Sequence, residues 1–550
     1  MNMLKEQVSL KLHQQHTSQT KEISPKQDIL IIVILLAVAL CIRLYSLKFF
    51  HVISTDGTSY ALTARAFAQG DLHGIGTYGF YPVLIAAANF FINDLETSGR
   101  IISVIFGTFI VLPLYLLGKS IFSRNVAIAA SLVSTVWPPF VSSSCEVITQ
   151  ATHTTLQLAS ICLIWYTFRK PSAIKGICAG ILIGLTYLTR PESILLVLAM
   201  PLALAVLEPE KLVERKRSIT FYIFGFTIPF LANMILVHHM TGEWQLSAKT
   251  DSALNDALSY YLNLPDLNYV PGYEPKSYVE ILKEHPGFIW HNLAKNLKML
   301  WKSLLPPTIW VMFAVGFLSG GFKRESNIKR LFLFATITPV VVLVIFYYID
   351  SGYIQAYQPF IFLFAAYGLT TTGDKIKVFI SGSLKMSTIL QRTPLLLPVA
   401  IIYAAILLAP QIRKNTTDAE YWPYQDDGRR SEKHIGKLLK AKLPPGKIMT
   451  RWARIAFYAE REWVNVPVAY FDEIIKTARE NKVRFLIADG LLYENRPGFG
   501  LEIFKYFMDR NIPSGLHINT DPSLRIKGLK PVLIYKSPRS IGVIVYEIPY

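Results

Sequence analysis

Runs of roughly 17–25 mostly apolar residues, the length that crosses a bilayer core as a helix, recur from residue 29 onward and are separated by short segments that carry the charge. They fall at 29–47, 99–118, 126–141, 148–168, 174–189, 192–208, 219–238, 304–321, 331–349, 356–371 and 394–410. This pattern predicts a polytopic α-helical membrane protein with about eleven transmembrane helices. One stretch is ambiguous. Across 174–208, Thr189, Arg190, Pro191 and Glu192 either lie inside one long hydrophobic segment or join two helices.

Two polar segments are too long to be simple connections, 48–98 and 241–303. Within the first, the apolar patch from Tyr81 to Phe91 is too short to span and reads as a helix lying at the interface. In the second, Ile281, Phe288, Leu293, Leu297 and Leu300 recur at helical spacing and predict a surface-lying helix interrupted near Pro286. A span there is disfavoured, because Lys283, Glu284, His285, Lys295 and Lys298 are too costly in hydrocarbon. Beyond Pro410 the pattern turns soluble. Lys447 to Thr450, Val464 to Val468, Arg484 to Ala488, Pro531 to Tyr535 and Gly542 to Tyr546 read as short strands, with a helix over Phe471 to Asn481. The chain therefore divides into a polar tail (1–28), a membrane domain (29–410) and a small α/β domain (411–550).

Charge gives this division an orientation. Basic residues concentrate at Arg169, Lys170 and Lys175, at Lys211 to Arg217, at Lys323 to Arg330 and at Lys375 to Arg392. With the N-terminus inside, all of these loops land on the cytoplasmic face, and an odd helix count leaves the C-terminal domain outside with loops 48–98 and 241–303. The formal charge of +18 thus reports topology, and no nucleic-acid partner is expected, since Lys and Arg form loop clusters and no binding stripe. The first apolar run is long enough to span and lacks a small-residue cleavage site, so it reads as a retained helix. Cys41, Cys145, Cys162 and Cys178 lie in or beside apolar runs and suggest neither disulfides nor zinc. No GxGxxG or P-loop marks a nucleotide site.

Asp56 is the leading candidate for chemistry. It follows the first span, where a low-dielectric boundary can raise a carboxylate toward a useful base, although a solvated turn residue is the simpler alternative. Tyr60 lies one helical turn on, within reach of Asp56 or as an interfacial anchor. Arg190 is a candidate phosphate clamp, its guanidinium offering a planar fork of donors, against the alternative of pairing with Glu192. Lys295 and Lys298 are further candidates to face a lipid phosphate, or are solvated charges. Glu146, at the outer end of a helix pair beside Ser142, Ser143 and Ser144, is a second candidate carboxylate, against the alternative of a helix-start carboxylate favoured by the macrodipole. His51, His73, His238, His239 and His285 are scattered on the outer side without metal-ligand spacing. Arg451, Trp452 and Arg454 form a basic face in the last domain, a candidate contact for a polar acceptor or a solvated surface.

Three stretches carry a resemblance. Asp56 to Tyr60, Ala64 to Asp71, and Gly79 to Ile85 look like the first-loop signature of the protein mannosyltransferase and aminoarabinose transferase group of GT-C glycosyltransferases. Arg100 with its apolar run, Pro138 and Pro139 with Glu146, Gly184 to Glu192, and His285, Pro286 with Asn296 are similar to later landmarks of the group. The resemblance covers about 1–410 and rests on the order of the motifs. It implies a GT-C fold and an inverting transfer from a polyprenyl-phosphate sugar to a glycan, lipid or protein acceptor. It also implies Asp56 as general base; beside it, the residues themselves offer Glu146 as a second catalytic carboxylate, Arg190, Lys295 and Lys298 for phosphate binding, and Tyr60, His73, Tyr81 and Glu192 for a substrate cavity. Many relatives carry a second carboxylate directly after the first, where this chain has Gly57, which weakens a metal-binding version of the site. No cofactor is expected to be required, and no clear motif indicates a divalent metal. The implied setting is a bacterial inner membrane, with the active site and the last domain periplasmic, the last domain capping the cavity or recruiting the acceptor. A transporter or flippase of lipid-linked or small polar substrates is the main rival, disfavoured because the carboxylates cluster toward one face. A metal-dependent oligosaccharyltransferase would carry a Trp-Trp-Asp motif, which is absent. A scaffold built on the last domain would leave the polar first loop without a purpose.

Overall fold

A computed structural model describes residues 25–264, 266–303, 305–319, 323–347, 351–383, 423–489, 515–518, 525–536 and 543–549, with a few single positions between 402 and 496. The first helix, α1 (Pro25–Leu47), is followed by three short helices of the first loop, α2 (Thr55–Ala68), α3 (His73–Tyr78) and α4 (Phe80–Ile92). The membrane body continues with α5 (Leu95–Phe109), α6 (Val111–Ile121), α7 (Arg124–Val136), α8 (Pro138–Cys145), α9 (Gln150–Arg169), α10 (Ala173–Thr189), α11 (Ile194–Leu207) and α12 (Leu212–Thr241). The second loop holds α13 (Thr250–Leu262), α14 (Tyr278–Glu284) and α15 (Phe288–Ser303), the last two separated at Pro286. Then α16 (Pro307–Leu318), α17 (Arg324–Ala335), α18 (Thr338–Phe346) and α19 (Gln358–Ser383) return to the body. Helices stand at every expected apolar segment up to 356–371; the last, 394–410, falls largely outside the described residues, as does most of the polar tail.

By length and composition, Pro25–Leu47, Leu95–Ile121 and Pro209–Thr241 suffice to cross a membrane, and two bent pairs, α7 with α8 at 53° and α17 with α18 at 43°, add two more. Helix α9 does not qualify, for a physical reason. It is enclosed by its neighbours and buries Thr152, His153, Gln157, Ser160 and Thr167, so it meets protein where α1 presents Leu30, Val33 and Ile34 outward, an apolar face suited to lipid. The bend between α7 and α8 follows from Pro138 and Pro139, which cannot donate backbone hydrogen bonds to the preceding turn. Buried Arg43 of α1 meets the exposed backbone there, donating to the Thr135 carbonyl at 3.4 Å and to Ser144 Oγ at 3.1 Å.

Helix α10 packs on α12 through a seam of glycines one turn apart. A Cβ at Gly176 would lie 2.6 Å from the Ser218 carbonyl oxygen, at Gly180 2.1 Å from that of Tyr222, and at Gly184 2.1 Å from Pro229 Cγ. The two backbones touch, as small residues permit in membrane helices. Helix α10 begins beside Lys170 and Lys175 and ends at Arg190, which separates the two faces. At the basic end, Glu208 sits between Arg215 (2.6 Å), Lys211 (2.5 Å) and Arg169 (3.7 Å), a carboxylate that ties two basic segments together.

The C-terminal domain is a six-stranded sheet in the order β2-β1-β3-β6-β5-β4, from β1 (Lys447–Met449), β2 (Trp463–Val464), β3 (Val483–Asp489), β4 (Gly515–Ile518), β5 (Lys530–Lys536) and β6 (Val543–Glu547). The first three pair in parallel and the rest antiparallel. Helix α20 (Pro423–Lys442) and the short α21 (Arg454–Tyr458) cover one face through Ile435, Leu439 and Ile455, and α22 (Phe471–Glu480) covers the other through Phe471, Ile474 and Ile475. Strand β4 and helices α13 and α20 lie beyond the elements expected from the sequence.

Substituting Gly180→Val should force α10 from α12 and destabilise the protein by about 1–3 kcal/mol. The thermal midpoint of the detergent-solubilised protein checks this, with Leu198→Val on an exposed apolar position as the comparison. A midpoint for Gly180→Val no lower than that of Leu198→Val would refute the seam.

Candidate active site

At the end of the body opposite the Glu208 cluster, three chain breaks converge. The first is the start of α2. Ser54 adopts an extended backbone and its hydroxyl accepts from the Gly57 N–H at 3.0 Å, capping the helix and placing Asp56 in the first turn, where the macrodipole favours a negative charge. The second is the end of α10. Arg190 is extended, as the residue before a proline prefers, and Pro191 opens a single 3₁₀ turn before α11. The ambiguous stretch is thus a true break between two helices. The third is the segment after α12, where the Leu246 carbonyl accepts from the Tyr187 hydroxyl at 2.6 Å and from Asn233 Nδ2 at 3.2 Å, tying the second loop to the body and delivering Lys249.

These breaks enclose a cavity of about 150 Å³ whose walls include Asp56, Tyr60, Arg190, Glu192, Lys249 and Tyr353. Arg190 lies 3.4 Å from Glu192 and 4.6 Å over the Tyr353 ring, so its fork is aimed by a carboxylate on one side and an aromatic face on the other. Both charged side chains are largely buried, at 13% and 11% exposure. Lys249 Nζ lies 4.7 Å over the Tyr78 ring and 5.6 Å over that of Tyr60. Burial pulls the Lys249 ammonium below its ordinary value, while Tyr78 and Asp56 work the other way. Tyr60 is buried and pushed up to about 12, first by burial and then by the Asp56 charge, so it is a neutral hydrogen-bonding group at physiological pH. Two carboxylates and two cations thus share one pocket, an arrangement in which one group can take a proton while others hold an anion.

Gly79 shapes the wall between α3 and α4. It has φ +72°, and a Cβ there would come within 1.9 Å of the Leu188 carbonyl oxygen, so the first loop lies directly on the α10 break. Gly57 has a similar role beside Asp56, since a Cβ would fall 2.7 Å from the Val147 carbonyl oxygen. A second carboxylate at this position has no room in this packing.

Of the residues singled out from sequence, Asp56, Tyr60, Arg190 and Glu192 line the cavity together. Tyr81 stands behind it, bonded to Ser103 Oγ at 2.7 Å and packed edge-on against Tyr60. Glu146 caps the end of α8 next to Val147 and does not line the cavity. His73 is exposed beside Asp71, Lys295 lies over the Tyr260 ring at 4.5 Å and Lys298 is exposed, all three outside the cavity wall. Arg451 pairs with Asp489 at 2.9 Å inside the C-terminal domain, and among the described residues no residue of that domain lines the cavity. Lys249 and Tyr353 were not anticipated; Tyr353 closely follows the apolar run 331–349, whereas Lys249 lies well beyond the run 219–238 with no local signal of its own. Among the described residues, no three His, Cys, Asp or Glu side chains gather as a metal-ligand set.

Residues 80–235 match the family model of dolichyl-phosphate-mannose-protein mannosyltransferase. The structure is similar to the crystal structure of ArnT from Cupriavidus metallidurans bound to undecaprenyl phosphate, with TM-score 0.57 and 12% identity over 96% of this chain and 99% of that one. It is also similar to the archaeal oligosaccharyltransferase AglB from Archaeoglobus fulgidus in complex with an inhibitory peptide and a dolichol-phosphate, with TM-score 0.52 and 12% identity over 84% of this chain and 69% of that one. No curated protein sequence matches the chain. The helical body, the two large loops and the small sheet domain define the GT-C fold of membrane proteins. Within that class the fold is similar to that of ArnT, and residues 80–235 are similar to the mannosyltransferase family.

The environment of Lys249 gives a direct expectation. Its amine should titrate below the ordinary lysine range, measured by the pH dependence of reductive methylation at that site. A half-reaction pH at or above the ordinary range would contradict the dominance of burial over the pull of Tyr78 and Asp56.

Proposed function

We propose that the chain is a glycosyltransferase acting on the outer face of a bacterial inner membrane, moving a sugar from a polyprenyl phosphate to an acceptor hydroxyl or amine. The observation that carries this reading is the meeting of Asp56 with Arg190 and Lys249 in one cavity. Such a transfer needs a base for the acceptor proton and positive charge for the departing phosphate, and the cavity holds both. Undecaprenyl phosphate in the ArnT structure and dolichol-phosphate in the AglB structure support a lipid-phosphate donor here.

In the proposed step, an Asp56 carboxylate oxygen takes the acceptor proton as the acceptor atom bonds to the anomeric carbon. The bond from that carbon to the phosphate oxygen breaks, and the electron pair leaves with polyprenyl phosphate. Direct displacement inverts the anomeric centre. Arg190 takes the phosphate through its planar fork, with Glu192 and Tyr353 fixing the plane, and Lys249 adds a cation whose desolvation strengthens its pull on an anion. The exposed apolar side chains Trp290 and Leu297 of α15, opposite buried Phe288, Asn292 and Asn296, suit a helix lying at the lipid interface. The charge on Arg190 and Lys249 supports a transfer that requires no metal.

Purified protein in lipid nanodiscs, given a panel of polyprenyl-phosphate sugars, should release polyprenyl phosphate. Asp56→Asn should lower turnover by about 10²–10⁴-fold, with activity retained in a chelator. Undiminished turnover in the variant would remove Asp56 as base, loss on chelation would establish a metal requirement, and no turnover with any donor would favour transport. Arg190→Lys keeps the charge but loses the fork, and should weaken retention of polyprenyl phosphate by about tenfold, read by equilibrium binding of the labelled lipid.

A further inference from the structure

The residues just before Asp56 are held by the C-terminal domain. Arg454 of α21 donates from Nε to the Ile53 carbonyl at 2.9 Å and from Nη2 to Thr55 Oγ1 at 2.7 Å, bracketing the Ser54 cap. Its other terminal nitrogen, Nη1, pairs with Glu432 of α20. One turn on, the Tyr458 hydroxyl accepts the Ile53 N–H at 2.9 Å and donates to Glu96 at 3.0 Å. Lys433 donates to the His51 carbonyl at 2.7 Å and to the same Glu96 oxygen at 3.0 Å, and Arg100 donates to the other oxygen at 2.7 Å. Val52, Ile53, Tyr60, Ala61 and Val147 pack with Phe457 and Tyr458 in a single apolar cluster.

This arrangement exceeds what joining two domains demands. Arg454 is 3% exposed and Glu432 7%, so an ion pair has been withdrawn from water to bind a backbone carbonyl and a hydroxyl at a helix start. Burying such a pair is unfavourable unless its donors find good partners, and here those partners are Ile53 and Thr55. A surface contact would gain as much from apolar side chains alone.

We propose that Arg454, aimed by Glu432 and seconded by Tyr458, is a positioning residue that sets the first turn of α2 and so fixes where the Asp56 carboxylate stands in the cavity. The inference rests on the assignment of Asp56 as base. It gives the C-terminal domain a part in the chemistry without any of its described residues lining the cavity. A small displacement of a reacting group is enough to reduce rate strongly while leaving binding by Arg190 and Lys249 intact.

The test uses the full chain in nanodiscs, with amide hydrogen exchange over 51–60 as the primary readout and α9 as internal reference. Arg454→Gln should speed exchange over 55–60 by about tenfold, lower kcat by about tenfold or more and leave KM for the lipid donor within about twofold; Arg454→Lys should recover part of both effects. Tyr458→Phe, which keeps the packing volume, should speed exchange at Ile53 and serves if Arg454→Gln fails to fold. Unchanged exchange in these variants would overturn the grip, and faster exchange with unchanged kcat would overturn positioning. Absence of turnover in the unsubstituted protein would instead defeat the proposed reaction, and exchange would then decide the grip alone.

Discussion

The requirement that a helix in a bilayer satisfy its own backbone decides where this protein can have a site. A chain that leaves its helix exposes carbonyls and N–H groups, and can do so only at the membrane surface or inside protein. Pro191 ends α10 at such a place, and the extended Arg190 that precedes it turns a charged side chain inward. Gly79 closes over the break from the first loop, and the Leu246 carbonyl, held by Tyr187 and Asn233, closes over it from the second. The cavity exists because three departures from helix are stacked on one another.

Much of this was legible in the sequence because membrane helices follow a strong rule of length and polarity. The helices of the membrane body, α4, the interruption at Pro286 and most strands emerge from apolar spacing alone. Asp56 and Arg190 were visible as charges at the ends of apolar runs. Lys249 was not, because nothing local distinguishes it from Lys295 or Lys298; only the path of the chain after α12 brings it to the cavity and leaves those two outside. Strand β4 lacks a pattern of its own and is defined by pairing with β5. Helix α20 has a strongly polar surface, and its buried face of Ile435 and Leu439 has meaning only against the sheet.

Burial gives similar residues different parts. Glu208, on the basic face, is surrounded by cations and serves to tie loops together. Glu192 pairs with Arg190 and shares with it a wall of the cavity. Arg43 is withdrawn into the helical body to repair a bend, whereas Arg190 borders space that an anion can fill. What surrounds each charge, a close set of partners or an enclosed opening, separates structural groups from those available to a ligand.

The bond from Arg454 to the Ile53 carbonyl joins positions 401 residues apart. At about 5–20 residues per second, roughly 20–80 s of synthesis separate the emergence of the two partners. During that interval the membrane body can assemble with its lipid-facing surface already in place, while the loop that carries Asp56 awaits its hold. The order of synthesis therefore leaves the first turn of α2 without its Arg454 bonds until the last domain has folded, so the two ends of the chain are joined last.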